Sequence, residues 1–497
     1  MTSAYKTLEA RFRQMSAIGG ALSMLGWDRS VMMPPGGGEV RAEQMAVLSV
    51  MLHELQNAPD MASLLDDATV ENGLDGWQAA NVREMRHGFK HATAVPADLV
   101  DKLSRARAKS EMVWRTARQD DDFKSLIAPM KELLGLVRES ANAKAASFGV
   151  APYDALLDGF DPGRTMAQLD VIFDDLLGFL PGFIDAALAH QETLPNVLKL
   201  EGSFDVPAQE RLGRQIMETL GFDFNHGRLD TSEHPFSGGV PDDSRITTRY
   251  DTEDFTPGLM GLVHETGHSI YERGLPLDWR GQPVGRSRGM TLHESQSLLY
   301  EMQAARSPQF IAYLAPLLEG AYGGSGEAWE VTNLTRTYHR IERSLIRVHA
   351  DEATYPLHVI LRYRLERAMI AGELEVEDLP GAWNEAMAEL VGVTPVDDRD
   401  GCMQDIHWPS GAFGYFPTYT LGALAAAQIF TTARQAMPAL MDDIGNGDFK
   451  RLNGWLGENI HSTGCRYSPD ETINRATGSL LGAAAFKAHL KDRYLPG

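Results

Sequence analysis

Hydrophobic residues recur every three to four positions along most of the chain, which is the pattern of amphipathic helices. Pro or Gly stands at several of the predicted helix ends. The helices predicted in the first part of the chain are Tyr5 to Leu25, Glu39 to Glu54, Trp77 to Gly88, Pro96 to Arg118, Asp122 to Ala146, Met166 to His190 and Ala208 to Leu220. The same periodicity fills most of the chain after Thr256, so the fold is predicted to be mainly α.

One segment interrupts the helical pattern. Phe224 to Asp230 and Ser244 to Tyr250 are rich in β-branched and aromatic residues, and Gly238, Gly239 and Pro241 lie between them. Residues of these types favour extended backbone. We therefore expect two short strands beside the helix that follows.

Length and charge limit the classes of protein to which the chain can belong. With 497 residues, 43% of them hydrophobic, the chain can form one large domain or two subdomains around a cleft. No repeat or composition break marks a linker, so one continuous domain over residues 1–497 is expected. The formal net charge of −22 argues against binding to nucleic acid and to anionic membranes.

The two cysteines, Cys402 and Cys465, are too few for a disulfide framework, so a reducing cytoplasm is expected. The apolar stretch from Met15 to Trp27 lacks a cleavage pattern and continues into charged residues, which favours an amphipathic helix over a secretion signal. No apolar stretch reaches the roughly 18 residues that a membrane-spanning helix needs.

The sequence H-E-T-G-H at His264 to His268 lies in a helix predicted from about Pro257 to Arg273. Histidines four residues apart lie about 40° apart around a helix, so both rings can reach one metal ion. Glu265 projects about 100° from His264, which suits a base that contacts water on the metal better than a third ligand. This is the H-E-x-x-H pattern of zinc hydrolases.

Neighbouring residues set the ends of that helix and exclude one zinc class. Thr256 can cap its first turn, and Gly274 fits the place just past its last residue. A metzincin would need Gly at 271 and His at 274, where this chain has Tyr271 and Gly274. The third ligand must therefore come from elsewhere.

Glu294, in a second helix that ends before Pro308, is the best candidate for that ligand, because a helix hairpin could return its carboxylate to the metal. In one alternative, Glu294 forms a capping box with Thr291 and only satisfies backbone groups. In the other, His293 is the ligand. If the helix starts near Ser287, Glu294 lies in its interior and is free to bind metal.

An ordered set of motifs resembles those of the thermostable Taq carboxypeptidase family of zinc peptidases. The resemblance covers nearly the whole chain. The motifs are H-P-F at 234–236, D-S-R-I-T at 243–247, H-E-T-G-H at 264–268, H-E-S-Q at 293–296, I-R-V-H-A-D at 346–351, G-C-M-Q-D-I-H-W at 401–408 and G-Y-F-P-T-Y-T-L-G at 414–422.

The resemblance implies an α-helical fold of the neurolysin type, with a small antiparallel sheet beside a deep active-site groove. Helices of about residues 1–200 would line or cover the groove, and about residues 225–425 would form the zinc-binding core. It also implies a homodimer that acts on peptides with a free C-terminus and releases single amino acids. One zinc ion per chain, replaceable by cobalt, would be bound by His264, His268 and Glu294.

In this chemistry Glu265 is the expected general base. The oxyanion needs hydrogen-bond donors besides zinc, and Tyr415, Tyr419 and His407 are the candidates. Each of the three could instead be a core residue with a satisfied polar tip.

Arg245 and Arg347 are the candidates for binding the terminal carboxylate of the substrate, because arginine can grip a carboxylate with two N–H groups. Arg347 could instead pair with Asp351 on a helix. Arg245 could instead pair with Asp242 or Asp243. Further expectations, that His234 and Phe236 shape the groove and that Gln404 and Asp405 support a ligand histidine, rest on the motifs alone.

Two other functions compete with that of a carboxypeptidase. One is a zinc oligopeptidase or dipeptidyl carboxypeptidase, which differs in the distance between the zinc and the arginine that binds the carboxylate. The other is a non-catalytic protein in which zinc joins helices, and such a site would be closed by four protein ligands.

Overall fold

The computed structural model describes residues 3–232 and 235–495, and α-helices are their main secondary structure, as predicted. One small sheet interrupts them. The helices before the sheet are α1 (Ala4–Val31), α2 (Gly38–Gln56), α3 (Met61–Val70), α4 (Gly76–Thr93), α5 (Ala97–Asp120), α6 (Phe123–Phe148), α7 (Pro152–Leu157), α8 (Met166–Leu177), α9 (Leu180–Gln191) and α10 (Val206–Leu220). Those after it are α11 (Thr256–Gly274), α12 (Gly289–Leu298), α13 (Pro308–Tyr322), α14 (Val331–Tyr338), α15 (Tyr355–Ala371), α16 (Leu379–Ala386), α17 (Pro417–Ala436), α18 (Leu440–Gly445), α19 (Lys450–Asn459), α20 (Pro469–Thr477) and α21 (Ala484–Tyr494).

Three predicted helices have clearly different bounds in the structure. Helix α1 ends at Val31, six residues beyond the predicted Leu25. Helix α4 continues through Gly88 to Thr93, because one glycine weakens a helix by only about 1 kcal/mol and does not end it. The stretch predicted as one helix from Met166 to His190 is α8 followed by α9. Pro181 stands in the first turn of α9, where its missing N–H is tolerated but where it could not continue α8.

The sheet contains β1 (Gly227–Thr231), β2 (Ser237–Val240) and β3 (Asp243–Thr248) in the order β1-β3-β2. Strand β1 is parallel to β3, with Leu229 opposite Ile246, whereas β2 is antiparallel to β3. The sheet is therefore mixed. The expected antiparallel pairing holds for β2 with β3 but is wrong for β1 with β3, the two strands predicted from sequence. The segment between them supplies the return connection that a parallel pair needs, and it forms the unpredicted strand β2.

Hydrophobic side chains between Val95 and Tyr494 form the largest buried cluster of the described residues. A separate cluster joins α1, α3 and α4 through residues such as Leu8, Leu65 and Met85. Ile246 of β3 and Leu262 of α11 belong to a third cluster, which packs the sheet against α11. Within residues 3–232 and 235–495, no helix combines the length and apolar character needed to cross a membrane.

Candidate metal centre

Helix α11 carries both predicted histidine ligands, and its bounds agree with the prediction to within one residue at each end. The polar groups of its first turn are hydrogen-bonded differently from the prediction. Thr256 is the first helical residue and donates its backbone N–H and its hydroxyl to Asp254, at 2.9 and 2.7 Å. The prediction that Thr256 caps the helix is wrong, because the Asp254 carboxylate reaches these groups instead.

Helix α12 brings Glu294 to the two histidines. Its carboxylate oxygens lie 3.8 Å from Nε2 of His264 and 3.6 Å from Nε2 of His268. The three side chains each offer a ligand atom, and these atoms all lie within 4.8 Å of one another. We call these three residues the metal centre. Since α12 starts at Gly289, Glu294 lies in its interior, and the capping-box alternative with Thr291 is wrong.

His293, the alternative ligand, faces away from Glu294. Its Nε2 lies 3.1 Å from the Glu272 carboxylate, and its ring stacks on that of His268 with centroids 4.3 Å apart. Adjacent residues of a helix point in different directions, so only one of His293 and Glu294 can face the metal centre. His293 instead supports the ring of His268 by packing against it.

Two glycines allow the helices around the metal centre to approach one another. A Cβ atom on Gly267 of α11 would lie 2.8 Å from the Gln296 carbonyl oxygen, and one on Gly422 of α17 would lie 2.7 Å from the Glu294 side chain. Side chains do not pack at such distances. Helix α12 is therefore held between α11 and α17 at a distance that only glycine permits.

Glu301, which sequence analysis did not identify, supports His264. The Nδ1 atom of His264 lies 2.9 Å from one oxygen of Glu301, and Arg306 donates to the other oxygen at 2.5 Å. Glu301 lies in a π-helical segment, Leu299–Ala305, that continues α12. A carboxylate that accepts the Nδ1–H of a histidine orients the ring and makes Nε2 a better ligand.

The metal centre carries an excess of negative charge. Burial alone lowers the pKa of His264, but Glu294 and Glu301 outweigh it and raise that pKa to about 10. Burial raises the pKa of Glu294, as expected for a carboxylate removed from water. A cation is therefore stabilised at this point. Two imidazoles and one carboxylate are also the donor set of catalytic zinc sites, so these residues fit a divalent metal ion.

Glu265 lies half-buried next to His264. Its charge contributes to the raised pKa values of His264 and Glu294, which places it close to both. Among the residues that the structure describes, the Glu265 carboxylate has no hydrogen-bond or ion-pair partner. It is therefore free to exchange a proton with a bound molecule.

Tyr415 and Tyr419 lie on either side of Pro417, the first residue of α17, and the ring of His407 lies near both of their rings. The Tyr419 hydroxyl lies 3.3 Å from Nε2 of His407, and the rings of Tyr415 and Tyr419 are 5.1 Å apart. Burial is the main cause that raises the pKa of both tyrosines, that of Tyr419 to about 12, and nearby Glu294 adds to the effect. Both phenols therefore keep their protons and can donate hydrogen bonds near the metal centre.

Arg347 lies beside Tyr419, with its guanidinium 4.9 Å from the ring, and its side chain is only 6% exposed. Its Nε and one terminal nitrogen donate to Asp405 at 3.1 and 2.8 Å, and the other terminal nitrogen donates to the Tyr355 hydroxyl at 3.1 Å. The alternative ion pair with Asp351 is wrong. The segment is a 3₁₀ turn rather than an α-helix, and Asp351 instead accepts backbone N–H groups near the start of α15.

Gln404 and Asp405 support arginines and not a ligand histidine, so that prediction is wrong. Asp405 binds Arg347 with one oxygen and Arg362 with the other, the latter at 2.7 Å from Nε. Gln404 accepts from the backbone N–H of Arg347 at 2.9 Å and from Arg362 at 2.8 Å. The burial of Asp405 favours a raised pKa, but the two guanidinium groups hold its pKa far below the usual value.

Arg245 is paired along β3 with Asp243, whose oxygens lie 3.0 and 2.8 Å from two of its nitrogens. Its guanidinium also lies 4.6 Å from the ring centroid of Trp27. This geometry matches the alternative in which Arg245 forms an ion pair with its strand neighbour. His234 lies outside the described residues, so its position relative to the groove stays a prediction.

Comparison with known proteins identifies the family. The family model described as carboxypeptidase Taq (M32) metallopeptidase matches residues 7–494. Thermostable carboxypeptidase 1 of Thermus thermophilus is 36% identical, over 99% of this chain and 98% of that protein. The structure of metallocarboxypeptidase 1 of Trypanosoma cruzi has a TM-score of 0.97 and 38% identity, covering 99% of both chains. That of an M32 carboxypeptidase of Deinococcus radiodurans has a TM-score of 0.92 and 34% identity, covering 99% of this chain and 98% of the other. The chain therefore belongs to the carboxypeptidase Taq (M32) family and is a metallocarboxypeptidase.

Proposed function

We propose that this metallocarboxypeptidase binds one zinc ion through His264, His268 and Glu294, with cobalt as a substitute, and releases single amino acids from peptides. The observation that carries the proposal is the set of three donor atoms within 4.8 Å of one another. Three protein ligands leave a position open for water or substrate. A bound zinc ion would polarise the scissile carbonyl and promote ionisation of water.

Glu265 accepts a proton from the attacking water and returns it to the departing amine. Its position beside His264 and its lack of a partner among the described residues support this role. Such proton transfer typically contributes a factor of ~10² to 10⁴ in rate. Tyr415, Tyr419 and His407 are proposed to donate hydrogen bonds to substrate oxygens, because the raised pKa values of the tyrosines keep both phenols protonated.

Arg347 is the better candidate for gripping the terminal carboxylate. A guanidinium has five N–H donors, and the contacts of Arg347 with Asp405 and Tyr355 engage three of them. One N–H remains on each terminal nitrogen, and this pair forms a fork that matches a carboxylate. Arg245 has already paired its Nε and one terminal nitrogen with Asp243, so its role in binding substrate is the weaker part of the proposal.

The test compares a peptide that has a free C-terminus with the same peptide ending in an amide. An amide cannot form the charge-assisted pair with Arg347, a loss of roughly 2 to 5 kcal/mol, so cleavage should fall by a factor on the order of 30 or more. Arg347→Ala should remove most of this discrimination, and Arg347→Lys should restore only part of it, because lysine lacks the fork. Arg364→Ala, at an exposed arginine, is the matched control.

The first products, identified by mass spectrometry, show at which peptide bond the enzyme cuts. Single amino acids released stepwise from the carboxyl end support the proposal. Dipeptides or internal fragments as first products, or equal cleavage of the two peptides, would instead indicate an oligopeptidase or dipeptidyl carboxypeptidase.

We further propose that residues 1–497 form one catalytic domain, with the helices of about residues 1–200 lining or covering the groove and about residues 225–425 forming the zinc-binding core. The proposed assembly is a homodimer in the cytoplasm. The buried, unpaired thiols of Cys402 and Cys465 support a reducing compartment. Light scattering during size-exclusion chromatography tests the assembly, since a homodimer has twice the mass of the chain.

A further inference from the structure

A second histidine pair, outside the metal centre, has almost the same geometry. His87 and His91 lie four residues apart on α4, with ring centroids 4.8 Å apart and ring planes at 73°. The corresponding values for His264 and His268 are 4.9 Å and 84°. In both helices this spacing turns the two rings toward one point.

Asp158, which follows α7, supplies a carboxylate at that point. One of its oxygens lies 2.6 Å from Nε2 of His87 and 2.7 Å from Nε2 of His91. Its other oxygen accepts the backbone N–H of Gly163 at 2.8 Å, which fixes the orientation of the carboxylate. We call His87, His91 and Asp158 the α4 cluster. Its three ligand atoms lie within 4.8 Å of one another, as in the metal centre.

The spacing of the α4 cluster suits a small metal ion after a modest expansion. Ligands at about 2.0 to 2.1 Å from a tetrahedral zinc ion lie about 3.3 Å apart, so the rings and the carboxylate need to separate by about 0.6 Å. The side chains of His87, His91 and Asp158 are 29%, 18% and 15% exposed, so an ion can reach them from solvent. His91 also lines a cavity of about 660 Å³, which leaves room for water as a further ligand.

The neighbours of the α4 cluster indicate a structural rather than a catalytic site. Gly88 follows His87, whereas Glu265 follows His264, so α4 provides no carboxylate in the position of a base.

The segment after Asp158 also reaches the active site. The carbonyl of Phe160 accepts the N–H of Met290, in the first turn of α12, at 2.7 Å. The ring of Phe160 meets that of Tyr415 edge to face, 5.0 Å between centroids.

We propose that His87, His91 and Asp158 bind a divalent transition metal ion of the zinc or cobalt type. The ion ties α4, in the N-terminal part of the chain, to the segment that contacts α12 and Tyr415. Lys144 lines the same cavity, and its positive charge interacts with Asp158. The Lys144 ammonium repels a metal cation and therefore weakens metal binding, but it does not prevent binding.

The test counts zinc ions on the metal-free, full-length enzyme after equilibrium dialysis against zinc chloride, with elemental analysis as the readout. We expect the wild type to bind about one zinc ion per chain more than His91→Gln or His87→Gln. His53→Gln is the matched control, because His53 is an exposed residue that lines the same cavity away from Asp158. It should bind as many ions as the wild type.

Two further measurements separate a bound metal from a purely hydrogen-bonded cluster. Zinc should raise the thermal midpoint of wild type and His53→Gln more than that of His91→Gln, and Lys144→Gln should tighten zinc binding at this site severalfold. Peptide hydrolysis by zinc-saturated His91→Gln should continue, since the metal centre is intact. Equal zinc counts in wild type, His87→Gln and His91→Gln would overturn the proposal. The two histidines would then only form hydrogen bonds with Asp158.

Discussion

Both the metal centre on α11 and the α4 cluster place two histidines one helical turn apart and set against them a carboxylate from another segment. The ring separations differ by 0.1 Å, at 4.9 and 4.8 Å. Burial differs moderately: the side chains of His264, His268 and Glu294 are 20%, 9% and 9% exposed, whereas those of His87, His91 and Asp158 are 29%, 18% and 15% exposed. Two regions of one molecule therefore share a ligand geometry and differ in their surroundings.

The surroundings decide what each site can do. The metal centre has Glu265 as a nearby free carboxylate and Glu301 as a partner for His264. In the α4 cluster Gly88 follows His87, and Lys144 lies near Asp158. Helical spacing alone thus brings two imidazoles close enough to share one ion. A base and a supporting carboxylate must be added before such a pair can serve in hydrolysis.

The largest effect is expected from removing the base that only the metal centre has. Glu265→Gln keeps the shape of the side chain but cannot accept a proton, so kcat should fall by a factor of ~10² to 10⁴ while zinc stays bound. Gly88→Ala changes the equivalent position of the α4 cluster, where a Cβ meets no atom within 4 Å, and should leave kcat unchanged. Loss of zinc from Glu265→Gln would show that Glu265 is a ligand and not the base.

A smaller effect is expected from the supporting carboxylate. Glu301→Gln leaves a neutral acceptor near Nδ1 of His264, and zinc affinity of the metal centre should fall about 10- to 100-fold. Competition with a chelator measures this affinity. Zinc bound by the α4 cluster should be unaffected, which provides an internal control. An unchanged affinity of the metal centre would mean that the contact of Glu301 with His264 does not tune the ligand.

The smallest effect concerns the close packing of α17 against α12 at the metal centre. Gly422→Ala would place a Cβ 2.7 Å from the Glu294 side chain, so unfolding free energy should fall by about 1 to 3 kcal/mol. Gly135→Ala in α6, where nothing lies within 4 Å, should instead stabilise the protein by about 0.4 to 1 kcal/mol. Thermal melts of the two variants check the prediction. Equal melting temperatures would contradict the close approach of α17 to α12.

The three side chains of the metal centre could be brought together from sequence because they lie on regular helices. His264, His268 and Glu294 obey the α-helical period, and Pro257 with Gly274 marks the bounds of α11. Glu301 was not found in this way, because its role rests on a contact with His264 of a different helix, and no motif recognised in the sequence includes it.

The α4 cluster was missed for a different reason. Ending the predicted helix at Gly88 separated His87 from His91, which hid their shared face. Its carboxylate belongs to Asp158, which lies far from α4 along the chain, and no local sequence pattern predicts a contact between such distant segments. The parallel pairing of β1 with β3 escaped prediction for the same reason, since strand pairing depends on long-range geometry.

The π-helical segment Leu299–Ala305 also determines the direction in which Glu301 points from its helix. A short π-helix is equivalent to an α-helix that has gained one residue, because its hydrogen bonds span five residues instead of four. Deleting one residue between Glu294 and Glu301 would rotate Glu301 by about 100° around the helix and away from His264. One additional residue in this helix is therefore sufficient to turn the Glu301 carboxylate toward His264, while Glu294 keeps its place.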